Sequence, residues 1–325
     1  MARALITGIA GQDGSYLAEQ LLADGYEIVG FGRAASIGDD QNLAPISDRI
    51  EYFAGDLLEP GSLAAVVAGA NADEIYHLAA PSFVPDSWND PSETMAAIVG
   101  STAELLAAAI DAKKRPKIWL SASAAVYGDT DESPQNESSA MRPTSPYGVA
   151  KLAALGLLRT MREQHQLFAC GGILYNHESP RRPEQFLARK VTRGAAAIAL
   201  GQQEELLLGN LDAVRDWSDA RDVVAGAVLA MRADEPGDYI FASGQGHSVS
   251  QLVEVAFKAA GIAERIEQCV AVDPEFVRPP EPQSLVGDPS RAERDLGWMR
   301  QFSFEAMIST MVEADLAELR STPTA

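Results

Sequence analysis

Residues 2–23 read Ala2-Arg-Ala-Leu-Ile-Thr7-Gly8-Ile-Ala-Gly11-Gln-Asp-Gly14-Ser15-Tyr-Leu-Ala-Glu-Gln-Leu-Leu-Ala23. Ala2 to Thr7 form a short apolar run with β character, and Ser15 to Ala23 place apolar residues at helical spacing. Between them stands G-x-x-G-x-x-G. A strand, a glycine turn and a helix in that order let the backbone approach a pyrophosphate, and the helix N-terminus supplies donors and a positive dipole. Thr7, Gly8, Gly11, Gln12, Asp13 and Gly14 are therefore candidate cofactor-binding residues.

The chain repeats this alternation. Tyr26 to Phe31 read as a second strand, ending at Gly32-Arg33. An acidic residue at that end would bind the ribose 2′-hydroxyl of NAD, whereas an arginine suits a 2′-phosphate, so Arg33 points to NADP(H). Ile50 to Ala54 read as a third strand, closing on Asp56 and Leu57, where the carboxylate can reach an adenine amino group. A helix over 62–68 and a strand over 74–78 follow. Leu78, Ala79 and Ala80 are small or apolar and let the backbone pack beside a cofactor ribose. The helix expected over 94–112 has an apolar surface too wide for one contact, so part of it is expected to face a second subunit. Strands over 117–120 and 167–175 flank a helix running from Pro146 to about Glu163, with Ser145 and Pro146 as its N-cap and N1 pair.

Alternating strands and helices predict an α/β, Rossmann-type doubly wound parallel sheet with the cofactor over the carboxyl ends of its strands. Beyond Pro180 the pattern loosens into helices over 184–200, 219–232, 248–260 and 302–319 and short strands over 206–208 and 239–242. The expected division is an NADP-binding domain over 1–175, which also receives roughly 211–240. A smaller, discontinuous C-terminal substrate-binding domain takes 176–210 and 241–325.

The chemistry concentrates between Ser121 and Lys151. Tyr147-Gly-Val-Ala-Lys151 sets a phenol and an ammonium four apart on one helix face. The ammonium favours the phenolate, and such a pair can move a proton to or from a sugar or alcohol oxygen. Ser123, just after a strand, can hydrogen-bond the same oxygen. Any long chain contains a Tyr-x-x-x-Lys by chance; the glycine turn upstream gives this one its weight.

The 325 residues are 46% hydrophobic, enough for a full core, and the net charge is −20. No basic stripe is visible, so no nucleic-acid partner is expected. A phosphate-bearing small molecule is still compatible, since Arg181, Arg182, Arg189, Arg215 and Arg278 read as loop arginines able to form a diphosphate site. Cys170 and Cys269 lie in or near apolar runs and read as core residues, so neither a disulfide framework nor a metal site is expected. The first residues lack a signal-peptide pattern, and no apolar run is expected to span a bilayer. A cytoplasmic location with no membrane partner follows as the expectation.

The glycine turn, the strand serine and the Tyr/Lys pair together resemble the extended short-chain dehydrogenase/reductase superfamily. The opening Ile6-Thr-Gly-Ile-Ala-Gly-Gln-Asp-Gly-Ser-Tyr-Leu-Ala-Glu19 is similar to that of GDP-mannose 4,6-dehydratases. So are Leu174-Tyr-Asn-His-Glu-Ser-Pro-Arg-Arg182, Gly209-Asn-Leu-Asp-Ala-Val-Arg-Asp-Trp217, Val277-Arg-Pro-Pro-Glu281 and Gly287-Asp-Pro289. The resemblance implies catalytic roles for Ser123, Tyr147 and Lys151, and adds His177 to the cofactor site. It implies a GDP-sugar partner held by Ser82, Asn176, Lys190, Gly209, Asn210, Arg215, Arg278 and Glu281. It also implies a homodimer through the helices holding residues 94–112 and 146–163.

The departures matter as much. The dehydratases carry Ser/Thr-Ser-Glu-Leu-Tyr-Gly where this chain has Ser123-Ala-Ala-Val-Tyr-Gly128, so their acid/base glutamate falls on Ala125, and a methyl group cannot transfer a proton. The family's second arginine after the second strand falls on Ala34, in a changed loop, which puts a tetramer in doubt. Arg142-Pro-Thr-Ser-Pro-Tyr-Gly-Val-Ala-Lys151 is similar to GDP-4-keto-6-deoxymannose reductases, and Ser123-Ala-Ala-Val-Tyr-Gly-Asp129 to nucleotide-sugar 4-epimerases. The expectation is an NADP(H)-dependent GDP-4-keto-6-deoxyhexose reductase. The alternatives are a GDP-sugar 4-epimerase, a GDP-mannose 4,6-dehydratase recruiting Glu178, Asp129 or Glu132, and a non-catalytic nucleotide-sugar-binding protein.

Overall fold

The apolar runs pair side by side as one parallel sheet in the computed structural model, which describes residues 1–33, 41–130, 132–276 and 284–321. The first elements are β1 (Arg3–Thr7), α1 (Gln12–Ala23), β2 (Glu27–Gly32), β3 (Ile50–Ala54), α2 (Ser62–Ala70) and β4 (Glu74–His77). Next come α3 (Asp86–Asn89), α4 (Pro91–Met95), a π-helical turn (Ala96–Gly100), α5 (Ser101–Asp111), β5 (Lys117–Ser121), α6 (Pro146–His165) and β6 (Ala169–Leu174). After them come β7 (Asn176–Glu178), α7 (Leu187–Ala199), β8 (Leu206–Leu208), β9 (Val214–Asp219), α8 (Ala220–Arg232) and β10 (Asp238–Phe241). The seven-stranded sheet runs β10-β6-β5-β4-β1-β2-β3, all parallel. The order reverses between β1 and β4, and that reversal opens a ligand crevice at the strands' carboxyl ends. Thr7 pairs with His77, so β1 and β4 end level with each other there.

Strands β4 and β6 are buried along their whole length, as strands covered by helices on both faces must be. Helix α1 starts at Gln12, three residues earlier than expected at Ser15. The expectation that no apolar run could span a bilayer needs correction. The 21 residues of Pro91–Asp111 are long and apolar enough by length and composition. In the fold this is a core helix: Thr94, Ala97, Ile98, Ser101, Thr102, Leu105, Leu106 and Ala109 are buried, with α2 and α6 alongside.

The remaining elements are β11 (Gly246–Ser248), α9 (Val249–Ala259), α10 (Ile266–Cys269), β12 (Val270–Val272), β13 (Ser284–Leu285), α11 (Ser290–Leu296) and α12 (Phe304–Ser321). Helices α7, α9 and α12 share a second core built on Val191, Leu252, Phe257, Ile308 and Met311. Residues 176–178 and 214–219 are strands that the sequence pattern did not mark: β7 and β13 pair parallel to β9, and β11 pairs antiparallel to it. Short polar strands such as Asn176-His-Glu178 carry no alternation to read. Ala292 and Trp298 join the core under the large sheet, and Trp298 donates to the Asp222 carbonyl at 2.8 Å. Part of the 241–325 stretch therefore packs on the first sheet.

Candidate active site

The glycine turn at the end of β1 is built by close approach. Gly8 has φ +71°, and a Cβ there would lie 2.9 Å from the Ala79 backbone. A Cβ on Gly14 would lie 2.3 Å from the Gly8 carbonyl oxygen, so only glycine lets α1 dock on the turn. Gly11, the N-cap, closes α1 with no side-chain hydrogen bond. The first amides of α1 thus face the crevice with no side-chain cap, as a phosphate cradle requires. Arg33 is exposed at the end of β2. Asp56 accepts from the Leu58 amide at 2.9 Å, and Leu57 is half-buried beside it. Ala80 is half-buried and Ser82 exposed on the loop after β4.

Across the crevice, Ser145 caps α6 by accepting from the Gly148 amide at 3.1 Å, with Pro146 at the first helical position. A Cβ on Gly148 would lie 2.6 Å from the Ala125 carbonyl oxygen, so α6 presses directly on the segment that carries Ser123. Ser123 has extended backbone, accepts from the Ala125 amide at 3.2 Å and shares a hydrogen bond with Tyr147. Lys151 donates to the Ser121 carbonyl at 2.7 Å and stands 5.8 Å from the centre of the Tyr147 ring. The structure brings all three residues together, with Tyr147 and Lys151 both buried.

Burial pushes the Tyr147 phenol up, against the pull of the Ser123 hydrogen bond and the Arg182 charge. Burial also pushes Lys151 down to about 8. The Ser121 carbonyl fixes the Lys151 ammonium, whose charge stays 5.8 Å from the centre of the phenol ring.

The far wall comes from β7 and the turn after it. His177 donates from Nδ1 to the Tyr175 carbonyl at 2.7 Å and sets Nε2 2.9 Å from the Asp13 carboxylate. Burial drives Asp13 up, but the charge and hydrogen bond of His177 outweigh it and hold Asp13 at about 2. Gln12 donates to the His177 carbonyl at 3.1 Å and accepts from Ser179 at 2.9 Å. The glycine turn is thereby tied to β7.

The arginines separate. Arg182 pairs with the buried Glu178 at 3.2 Å and stacks 3.6 Å over Phe186, which meets Phe83 edge-on. Arg181 turns away onto Tyr16 and Glu19. Arg189, expected as a loop arginine at a diphosphate site, is instead on α7 and pairs with the buried Asp315 at 2.8 Å. Its partner comes from α12, which local sequence does not show. Arg215 lies on β9 and donates to the Val214 carbonyl at 2.8 Å. Asn176 is exposed on β7, opposite Trp217 of β9. Lys190 lies 3.7 Å over the Phe276 ring, and a Cβ on Gly209 would meet the Phe276 carbonyl oxygen at 2.4 Å. Asn210 accepts from the Asp212 amide at 2.9 Å. Arg278, Glu281 and Ala34 lie outside the described residues. Among the described residues no group of three or more His, Cys, Asp or Glu side chains could hold a metal.

Residues 5–311 match the family described as "GDP-mannose 4,6 dehydratase". The chain is 40% identical to the GDP-mannose 4,6-dehydratase of Sinorhizobium fredii, covering 98% of each chain. It is 38% identical to that of Vibrio cholerae, over 98% of this chain and 94% of the relative. This chain belongs to the GDP-mannose 4,6-dehydratase family. Among solved structures it is similar to the dTDP-glucose 4,6-dehydratase of Streptomyces venezuelae, determined with NAD bound. There the TM-score is 0.83 and the identity 26%, over 96% of each chain. It is an enzyme with the extended short-chain dehydrogenase/reductase fold.

In sequence Arg182 reads only as one of several loop arginines for a diphosphate, and neither Gln12's link to β7 nor His77 stands out. Arg182 had a signal, the Arg-Arg pair after Pro180, but only the turn decides which arginine faces the phenol. His77 had none, because its partners Thr7 and Ser101 come from separate elements.

Proposed function

We propose that this chain is an NADP(H)-dependent enzyme acting at C4 of a GDP-hexose, and that it reduces a GDP-4-keto-6-deoxyhexose. The observation that carries the reading is the convergence of Ser123, Tyr147 and Lys151 beside Ala125. In this reading Ala125 takes the position of the dehydratases' acid/base glutamate. The carboxylates grouped around Arg182 and His177 among the described residues are already engaged, Asp13 by His177 and Glu178 by Arg182. A phenol whose proton affinity burial raises is suited to carry the proton that a ketone oxygen takes up. Ser123 aligns that oxygen. Lys151, fixed by the Ser121 carbonyl, holds its positive charge beside the ring.

The residues present fit a nicotinamide dinucleotide, which when bound supplies the hydride. Gly8, Gly11, Gly14 and the first amides of α1 would hold the pyrophosphate, with Gln12, Asp13 and His177 bracing the turn. Arg33 would take the 2′-phosphate, and Asp56 and Leu57 the adenine. Thr7, Leu78, Ala79 and Ala80 would line the ribose side, with Tyr147 and Lys151 facing the nicotinamide end. The nucleotide sugar would meet Ser82, Asn176, Lys190, Gly209, Asn210 and Arg215, together with Arg278 and Glu281.

The family's own name favours a second reading, dehydration with Glu178 as the acid/base. Glu178 is buried, and burial raises its proton affinity against the Arg182 and His177 charges. One experiment separates the two. The protein is incubated with GDP-mannose, and separately with GDP-4-keto-6-deoxymannose plus NADPH, and products are identified by mass and NMR. Consumption of NADPH with a two-hydrogen mass gain supports the reductase. Loss of water from GDP-mannose alone overturns it in favour of the dehydratase, and an isomer of unchanged mass does so in favour of a 4-epimerase.

The α4–α5 and α6 helices are our proposed homodimer face. Trp88, Met95 and Val149 are exposed on neighbouring elements there, at 63%, 36% and 46%, a grouping of large apolar side chains that a second copy would cover.

A further inference from the structure

His77 is buried between β1 and the π-helical turn, and its hydrogen bonds run in one direction only. The Thr7 hydroxyl oxygen accepts from the Leu78 amide at 3.2 Å and the Ala79 amide at 3.1 Å. Those two bonds use both lone pairs, so the Thr7 proton is left to donate. It faces His77 Nδ1 at 2.9 Å. Nδ1 must therefore accept, and a neutral imidazole that accepts at Nδ1 carries its proton on Nε2. Nε2 lies 3.2 Å from the Ser101 hydroxyl, which passes its own proton to the Ala97 carbonyl at 2.6 Å. That carbonyl belongs to the π-helical turn Ala96–Gly100. Every member of the chain has the proton its neighbour requires, and Thr7, His77 and Ser101 are all buried. Burial, helped by the Lys151 charge, pushes His77 down to about 3, so the ring is neutral.

The end of this chain is the glycine turn. The Leu78 and Ala79 amides hang on Thr7, and the Ala79 backbone is the surface against which Gly8 packs. Loss of the acceptor at Nδ1 leaves a buried hydroxyl proton unpaired. That unpaired proton weakens the hold of Thr7 on both amides.

We propose that His77 is a positioning residue, which as the Nε2–H tautomer holds Thr7, and through it the Leu78–Ala79 backbone, against the turn where a dinucleotide binds. The proposal rests on the nicotinamide reading above. It makes the two ring nitrogens unequal: the Nδ1 bond supports cofactor binding, whereas the Nε2 bond only anchors the ring.

Two amide variants of the full chain test this. An asparagine oxygen can stand near Nδ1 and still accept from Thr7, whereas a glutamine reaches towards Ser101 and abandons Thr7. With NADPH binding followed by fluorescence, His77→Gln is expected to bind about tenfold more weakly, as one lost buried hydrogen bond predicts. His77→Asn is expected to stay within about twofold of wild type, with thermal melting lowered similarly in both. Equal weakening in the two variants overturns the positioning role and leaves His77 as packing alone. Nitrogen-15 NMR of the imidazole in the cofactor-free protein, assigned by the peak lost in His77→Gln, is expected to show the Nε2–H tautomer at neutral pH. An Nδ1–H or imidazolium pattern overturns the bonding scheme. A wild-type protein that binds neither NADPH nor NADH sinks the cofactor reading and the positioning role with it, while the imidazole spectrum still reports on the bonding.

Discussion

Two histidines, one buried and one half-buried, stand on opposite sides of the glycine turn and differ in charge. His77, at the end of β4, meets a hydroxyl donor on one nitrogen and a hydroxyl acceptor on the other. Burial and the Lys151 charge push it down to about 3. His177, on β7, is half-buried, its side chain 11% exposed, yet its proton affinity is raised. Burial opposes that rise, but the Asp13 carboxylate and the Tyr175 carbonyl both accept from the ring. Burial is common to both sites. The partners decide the charge: two acceptors make an imidazolium, while a donor and an acceptor make a neutral ring. The turn is thus gripped by a neutral chain on the β4 side and by an ion pair on the β7 side.

The largest effect is expected between the two grips. Tyr147→Phe removes the hydroxyl that the proposed function makes the proton donor to O4. Turnover is expected to fall by about 10²–10⁴-fold, in the range of a lost general acid. Because neither histidine grip touches the phenol, NADPH binding is expected to persist. Full turnover in Tyr147→Phe would refute the assigned role, and loss of NADPH binding would show that the phenol also braces the turn.

The β7 grip is next in size. Asp13→Asn removes the carboxylate and lets His177 shed its proton inside the protein. About 2 kcal/mol of stability is expected to go, as for a hydrogen bond between charged groups, read by urea denaturation. The pH dependence carries the sign. The raised His177 makes its contribution fully below the unfolded value near 6.5 and loses it as pH rises through the raised folded value. Asp13, held at about 2, contributes above the unfolded carboxylate value near 3.9 and loses it as pH falls towards 2. The stability gap between wild type and Asp13→Asn should therefore be widest from roughly pH 4 to 6.5. His77 runs the other way: it stays neutral when folded, so protonation of the unfolded chain weakens the fold as pH falls below about 6.5. A gap that is widest above pH 8 would mean that the His177–Asp13 pair is not ionised.

Legibility followed the same division. The large sheet could be read because its strands are apolar runs buried on both faces, such as Ile75–His77 and Cys170–Ile173. The serine, tyrosine and lysine could be read because helix spacing fixes Tyr147 and Lys151, and a strand end fixes Ser123. What could not be read were facts about distant partners. The Ser121 carbonyl that fixes the Lys151 ammonium comes from β5, thirty residues away. Arg189 reads as a loop cation until α12 brings Asp315 against it. β7 and β9 pair through residues whose polarity hides any alternation, so the strand that meets the glycine turn went unmarked.

The smallest expected effect tests whether helix α6 needs its own start signal once those grips are in place. Ser145 satisfies the Gly148 amide, and its loss costs a helix about 1 kcal/mol in typical cases. Gly148 is also clamped against the Ala125 carbonyl, a contact that holds the first turn independently of the cap. Ser145→Ala is therefore expected to lower unfolding free energy by about 1 kcal/mol in urea titrations while turnover stays close to wild type. A large fall in turnover at unchanged stability would mean that the cap sets the direction of the Tyr147 hydroxyl. The proton-transfer geometry would then depend on one local hydrogen bond rather than on the packing of α6 against residues 123–126.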